Sequence, residues 1–190
     1  MSDLPVRRTE RLHRGRVSAQ GATYYVTFVT KNRAHWLASQ AGREAVITTL
    51  RDWHNEGDGA IRAAVVMPDH VHVLSVLGRK LTIGRCVSRW KNKSQKASGN
   101  EGKWQRDFWE HRVRTGESME DYGLYMLLNP YRAGLVSAGA SWPGWWWPDP
   151  NCFRFASALD EGGTPPRDWR NYPEDRFREL GLGKESDGDE

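Results

Sequence analysis

The chain has 190 residues and a mass of 21.8 kDa, which suits one compact domain with a tail better than two full domains. Hydrophobic residues make up 38%, charged residues 27%, and the mean hydropathy is −0.75, a balance that excludes both a membrane protein and a wholly disordered chain. Net charge is +4 and unevenly spread, with 22 Lys and Arg against 13 Asp and Glu in residues 1–135, but 6 against 11 in residues 136–190. A basic body suits a polyanionic partner, since neutralised phosphates supply much of the affinity for nucleic acid. The acidic stretch reads as solvated chain, or as a cover for that basic surface. The basic N-terminus, with Arg7, Arg8, Arg11, Arg14 and Arg16, lacks the apolar run of a secretory signal, so a cytoplasmic location is expected. Cys86 and Cys152 form neither a disulfide framework nor a C-x-x-C zinc site.

In chain order, Gly21 to Thr30 is β-branched and aromatic, the composition of a strand. From Gln40 to about Glu56, apolar residues recur at helical spacing (Ala45, Val46, Thr49, Leu50, Trp53), and Gly57-Asp58-Gly59 stops the pattern. Ile61 to Met67 reads as a second strand, Pro68-Asp69 as a turn, and His70 to Val76 as a third strand with period two. Thr82 can cap a helix to about Ala97, on which Arg85, Arg89, Lys93 and Lys96 share one face. Trp104 to Arg114 has no clean period. Ser118 opens a last helix, expected to end near Leu128 because Pro130 disfavours helix at Asn129. This order predicts an α+β fold with helices on an antiparallel sheet. It divides into a basic arm (1–20), a folded body (21–136), and a Trp- and Pro-rich irregular cap with an acidic, partly disordered tail (137–190).

His70-Val71-His72 places both imidazoles on one face of a strand, either as half of a metal site or as polar residues on a solvated face. Tyr125 and Asn129, four apart, share a helix face, where a phenol can be a nucleophile and an amide oxygen a hard ligand. Packing for Tyr125 and capping for Asn129 are the plainer alternatives. Tyr122 is also near that face, so periodicity does not choose between the tyrosines.

Three ordered blocks then combine: Met67-Pro-Asp-His-Val-His-Val-Leu74, Phe108-Trp-Glu-His-Arg-Val-Arg114 and Tyr125-Met-Leu-Leu-Asn-Pro-Tyr-Arg-Ala-Gly-Leu-Val136. Together they closely resemble the REP-associated tyrosine transposases, single-tyrosine HUH transposase-like proteins of bacteria. The resemblance implies a ferredoxin-like HUH fold in which His70 and His72 hold Mg²⁺ or Mn²⁺, with Asn129 as a less secure third ligand. It selects Tyr125 as the nucleophile. It implies a single-stranded DNA endonuclease and strand transferase that acts on imperfect palindromic hairpins through a 5′-phosphotyrosine link, working as a monomer close to the nucleoid.

Arg85, Arg89, Lys93 and Lys96 then become candidates for tracking DNA phosphates, Arg112 and Arg114 for the site entrance, and the Arg7, Arg8 and Arg11 arm for a groove or unpaired bases. Trp104, Phe108 and Trp109 are expected chiefly in the core or cap, with base stacking as the alternative. The Trp145-Trp146-Trp147 run and the acidic tail match no motif; the tail reads first as solvated chain, with folding over the basic cleft to restrain activity as the alternative. A DNA-hairpin binder of the same fold that does not cut is the alternative function. A zinc hydrolase fits poorly, since no H-E-x-x-H is present.

Overall fold

The computed structural model describes residues 18–99 and 102–171. Five strands form one antiparallel sheet: β1 (Thr23–Thr30), β2 (Gly59–Val66), β3 (His70–Leu77), β4 (Trp104–Arg112) and the short β5 (Trp145–Trp146), in the order β4-β1-β3-β2-β5. Three α-helices accompany them: α1 (Gln40–Asn55), α2 (Ile83–Ala97) and α3 (Met119–Arg132). The first four strands with α1 and α2 make a βαββαβ unit, which is the ferredoxin-like arrangement.

Strand alternation divides the chemistry between two faces. Tyr24, Val26 and Phe28 of β1 and Val71 and Val73 of β3 point to one side, where Val46, Leu50 and Trp53 of α1 and Cys86, Val87 and Trp90 of α2 close over them. Trp53 meets Trp90 edge to face, with ring centroids 5.2 Å apart, and ties the two helices together. Both helices are capped: Ser39 Oγ accepts from Gly42 N, and Thr82 Oγ1, as its sequence position suggests, accepts from Arg85 N. On the opposite side Tyr25, Ala63, Val65 and Leu74 pack beneath α3 and residues drawn from the Trp-rich extension.

Two local expectations are corrected, and one stretch left open between strand and helix is resolved. The stretch from Trp104, without a clean period, is an edge strand whose register on β1 shifts between Phe28 and Thr30. Helix α3 runs through Pro130 to Arg132, because only one backbone donor is lost so near its end, and Ala133 N still reaches Asn129 O. The extension is not wholly irregular: Trp145 and Trp146 pair with Val65 and Ala64, and Trp142 Nε1 donates to Val66 O. The Phe153 ring lies against Gly123 so closely that a Cβ there would overlap it.

Candidate functional site

The site is built where β3 and β1 pass beneath α3. His70 and His72, two apart on β3, stand on the α3 side with ring centroids 4.8 Å apart. His72 is buried, at 6% exposure, and both of its ring nitrogens are engaged. Its Nδ1 lies 2.8 Å from Tyr25 Oη and 2.8 Å from Thr27 Oγ1, both on β1. Its Nε2 lies 3.1 Å from Asn129 Nδ2 on α3. With the proton on Nδ1 donated to Thr27 Oγ1, Nε2 keeps a lone pair and accepts from the Asn129 amide. Burial, reinforced by the charge of neighbouring His70, holds the His72 imidazole well below its ordinary pKa, so the ring is neutral at neutral pH.

His70 is set from its other side. Its Nδ1 donates to Asp69 Oδ1 at 2.6 Å, and Arg33 Nη1 donates to Asp69 Oδ2 at 3.2 Å. Burial pushes the Asp69 carboxyl up, but the hydrogen bond and charge of His70, with Arg33 behind them, hold it at about 2. Arg33 reaches this position from a left-handed turn in which Asn32 has φ 57° and Arg33 φ 53°, an uncommon backbone state for an arginine. Thr30, at the end of β1, donates through both N and Oγ1 to Asp69 O, so the turn before the histidines is clasped to β1.

Both histidines therefore have Nδ1 committed to protein partners, so Nε2 is the nitrogen that could face a ligand, although on His72 it accepts from Asn129 Nδ2 here. No third His, Cys, Asp or Glu joins them among the described residues. Asn129 Nδ2 lies 3.1 Å from His72 Nε2, and turning its amide over would present Oδ1. Two imidazoles and one amide fit a divalent ion that completes its shell with oxygen from phosphate or water.

The two tyrosines differ in their surroundings. Tyr122 is fully buried and its hydroxyl donates to Glu117 Oε2 at 3.3 Å, while burial and then the Glu117 charge raise its pKa. Tyr125 is 9% exposed, with its ring 5.8 Å from His72 and 6.5 Å from Tyr25.

Residues 18–121 match the family described as IS200-like transposase, more than half of the chain. The chain belongs to this transposase family. Within it, the chain is similar to the REP-associated tyrosine transposase of Escherichia coli strain K12, at 32% identity over 130 residues, which cover 65% of this chain and 75% of that one. A relative from Haemophilus influenzae is 25% identical over 150 residues, covering 65% of this chain and 78% of its own. A solved REP-associated tyrosine transposase bound to a REP hairpin aligns with a TM-score of 0.53 at 27% identity, over 76% of this chain and 82% of that one. The family match holds both histidines and ends before Tyr125.

The basic residues of this IS200-like transposase are not gathered at one place. Arg85, Arg89, Lys93 and Lys96 belong to α2, on the sheet face away from the histidines, and Arg89 and Lys93 pair with Glu56 at 2.9 and 3.0 Å. Arg112 pairs across the sheet with Tyr24, so it too leaves β4 on the α1 and α2 side, whereas Arg114 is exposed just past the strand. Arg7, Arg8 and Arg11, and the tail beyond residue 171, lie outside the described residues. Trp104 and Phe108 join the core as expected, but Trp109 is 41% exposed. Sequence reasoning missed Tyr25, Thr27 and Asp69 as partners of the histidines, and Arg33 as the partner of Asp69, although Asp69 stood inside the quoted motif. No helix among the described residues is long and apolar enough to cross a membrane.

Proposed function

We propose that this chain nicks and rejoins single-stranded DNA at imperfect palindromic hairpins, with Tyr125 as the nucleophile. The observation that carries the reading is the meeting of His70, His72 and Asn129 with the Tyr125 ring on one face of the sheet. His70, His72 and Asn129 would hold a divalent ion, Mg²⁺ or Mn²⁺, which would supply Lewis acidity toward a phosphate oxygen. Asp69, Tyr25 and Thr27 keep the two imidazoles turned for that task.

In the cutting step Tyr125 Oη forms a bond to phosphorus and the bond from phosphorus to the 3′ oxygen breaks. The proton lost by the phenol balances the one gained by the departing 3′ hydroxyl. No water is consumed, so the phosphodiester energy stays in the tyrosine link and a 3′ hydroxyl can reverse the step. The REP hairpin held by the related transposase structure supports a hairpin as the partner of this chain. The near-burial of Tyr125 is the one feature that favours a binder that does not cut.

The test compares the wild type, Tyr125→Phe and Tyr122→Phe on labelled single-stranded hairpins from the source genome, with Mn²⁺ or EDTA, on a denaturing gel. The expected result is a covalent adduct in the wild type and in Tyr122→Phe, lost in Tyr125→Phe and in EDTA. An adduct that persists in Tyr125→Phe overturns the choice of nucleophile. Tight binding by all three proteins with no adduct would establish the binder.

A further inference from the structure

Trp109 is one of two large hydrophobic residues exposed among the described residues, and its place in the sheet is specific. Across β4 and β1 it pairs with Thr27, and across β1 and β3 Thr27 pairs with His72. Trp109, Thr27 and His72 therefore stand in one row on one face of the sheet, with Trp109 two strand spacings, about 10 Å, from the buried histidine. Its ring meets Tyr25 edge to face at 5.7 Å, and Tyr25 in turn contacts His72.

Beneath one face of the indole lies His111, nearly parallel at 11° and 6.1 Å, and beyond His111 lies Tyr122, tilted by 24° at 5.9 Å. His111 is fixed because its Nε2 is 2.7 Å from Glu117 Oε2, a carboxylate that also accepts from Arg114 N at 2.8 Å. A stacked column thus runs from buried Tyr122 out to a half-exposed indole, and the residue at its outer end is held by packing rather than left loose.

We infer that Trp109 is a stacking platform for an unpaired base of the DNA strand flanking the phosphate that reaches Tyr125. This rests on the reading of the site as one for single-stranded DNA. An aromatic face accepts any base without hydrogen-bond readout, and Trp loses little side-chain freedom on stacking because its ring is already ordered here. Exposed Arg114, just past the same edge strand and with its N–H on the Glu117 carboxylate that fixes His111, supplies positive charge close to the column, which favours nucleic acid over an apolar protein partner.

The test measures hairpin affinity by fluorescence anisotropy in EDTA, so that binding alone is read. The full-length wild type, Trp109→Ala and Trp109→Phe are each titrated with a hairpin bearing an unpaired flank, and with the same hairpin whose flanking nucleotides are abasic. The expected result is that Trp109→Ala weakens binding of the normal flank by about 5- to 150-fold, leaves the abasic hairpin unchanged, and is largely rescued by Trp109→Phe. Equal losses on both hairpins, or no loss on either while the wild type still binds them, overturn the platform and leave the proposed function standing. A wild type that binds neither hairpin overturns both.

Discussion

His72 has two oxygen partners at one ring nitrogen, Tyr25 Oη and Thr27 Oγ1, each at 2.8 Å, and this redundancy governs what a substitution does. Tyr25→Phe or Thr27→Val alone leaves one partner to hold the ring. Changing both frees it, and Mn²⁺ affinity measured by calorimetry is expected to fall about 10- to 100-fold in the double variant, with smaller losses in the singles. Single losses as large as the double would show that the two oxygens act as one unit. Glu117 carries a pH signal. Burial pushes its carboxyl up, but hydrogen bonds from Arg114 N, His111 and Tyr122, together with the His111 charge, bring it below the usual range. A depressed folded-state pKa stabilises the protein above the unfolded carboxylate range, and the gain disappears as pH falls through the depressed value. Urea unfolding from neutral pH downward should show this loss in the wild type and a flatter profile in Glu117→Gln. Little of this network was legible in the sequence. His70 and His72 were, because strand alternation is local, but the Tyr25 contact joins residues 47 apart and no short-range pattern encodes it.

Helix α2 shows what an element owes to one buried cation. Lys91 is 6% exposed, and its Nζ donates to the carbonyls of Gln105, Arg106 and Asp107 at 2.9, 3.3 and 2.8 Å, fastening α2 to β4. Lys91→Met fills similar space but leaves those carbonyls without the ammonium, so a loss of about 1–3 kcal/mol is expected in thermal unfolding. An unchanged midpoint would mean that water replaces the amine without cost. The neighbouring basic face illustrates where periodicity stops informing. Spacing put Arg85, Arg89, Lys93 and Lys96 on one side of a helix, and that is correct, but which side of the sheet the helix covers is decided by chain topology. Pro130 teaches a related lesson, since its local bias against helix at Asn129 was overridden by nine buried residues of α3. The order from β1 to α2 was readable because those elements carried their own apolar period, whereas β4, without a clean period, was not.

For the whole molecule, the extension beyond Val136 acts as part of the core on the α3 side. Trp142, Trp145 and Trp147 pack on that cluster, and the stacked pair Phe153 and Phe155, at 4.9 Å, closes over α3. Removing the chain after Ala140 would uncover the buried face of α3 and the edge of β2 together. The expected outcome is aggregation or loss of a cooperative unfolding transition, read by light scattering and thermal melting. A shortened chain that stays monomeric and melts sharply would show that the cap is dispensable. This region was the least legible in the sequence, because Trp and Pro without period announce burial but not its geometry.

The two-faced sheet also has a consequence for inheritance. Along β1 and β3 successive residues face different surroundings: Val26, Phe28, Val71 and Val73 the α1 and α2 core, Thr27, His70 and His72 the candidate site. A deep mutational scan that scores cellular abundance and DNA-processing activity separately should therefore alternate residue by residue, with abundance collapsing at one set and activity vanishing at normal abundance in the other. In such a protein, drift in chemistry and drift in stability can proceed along the same strand without obstructing each other.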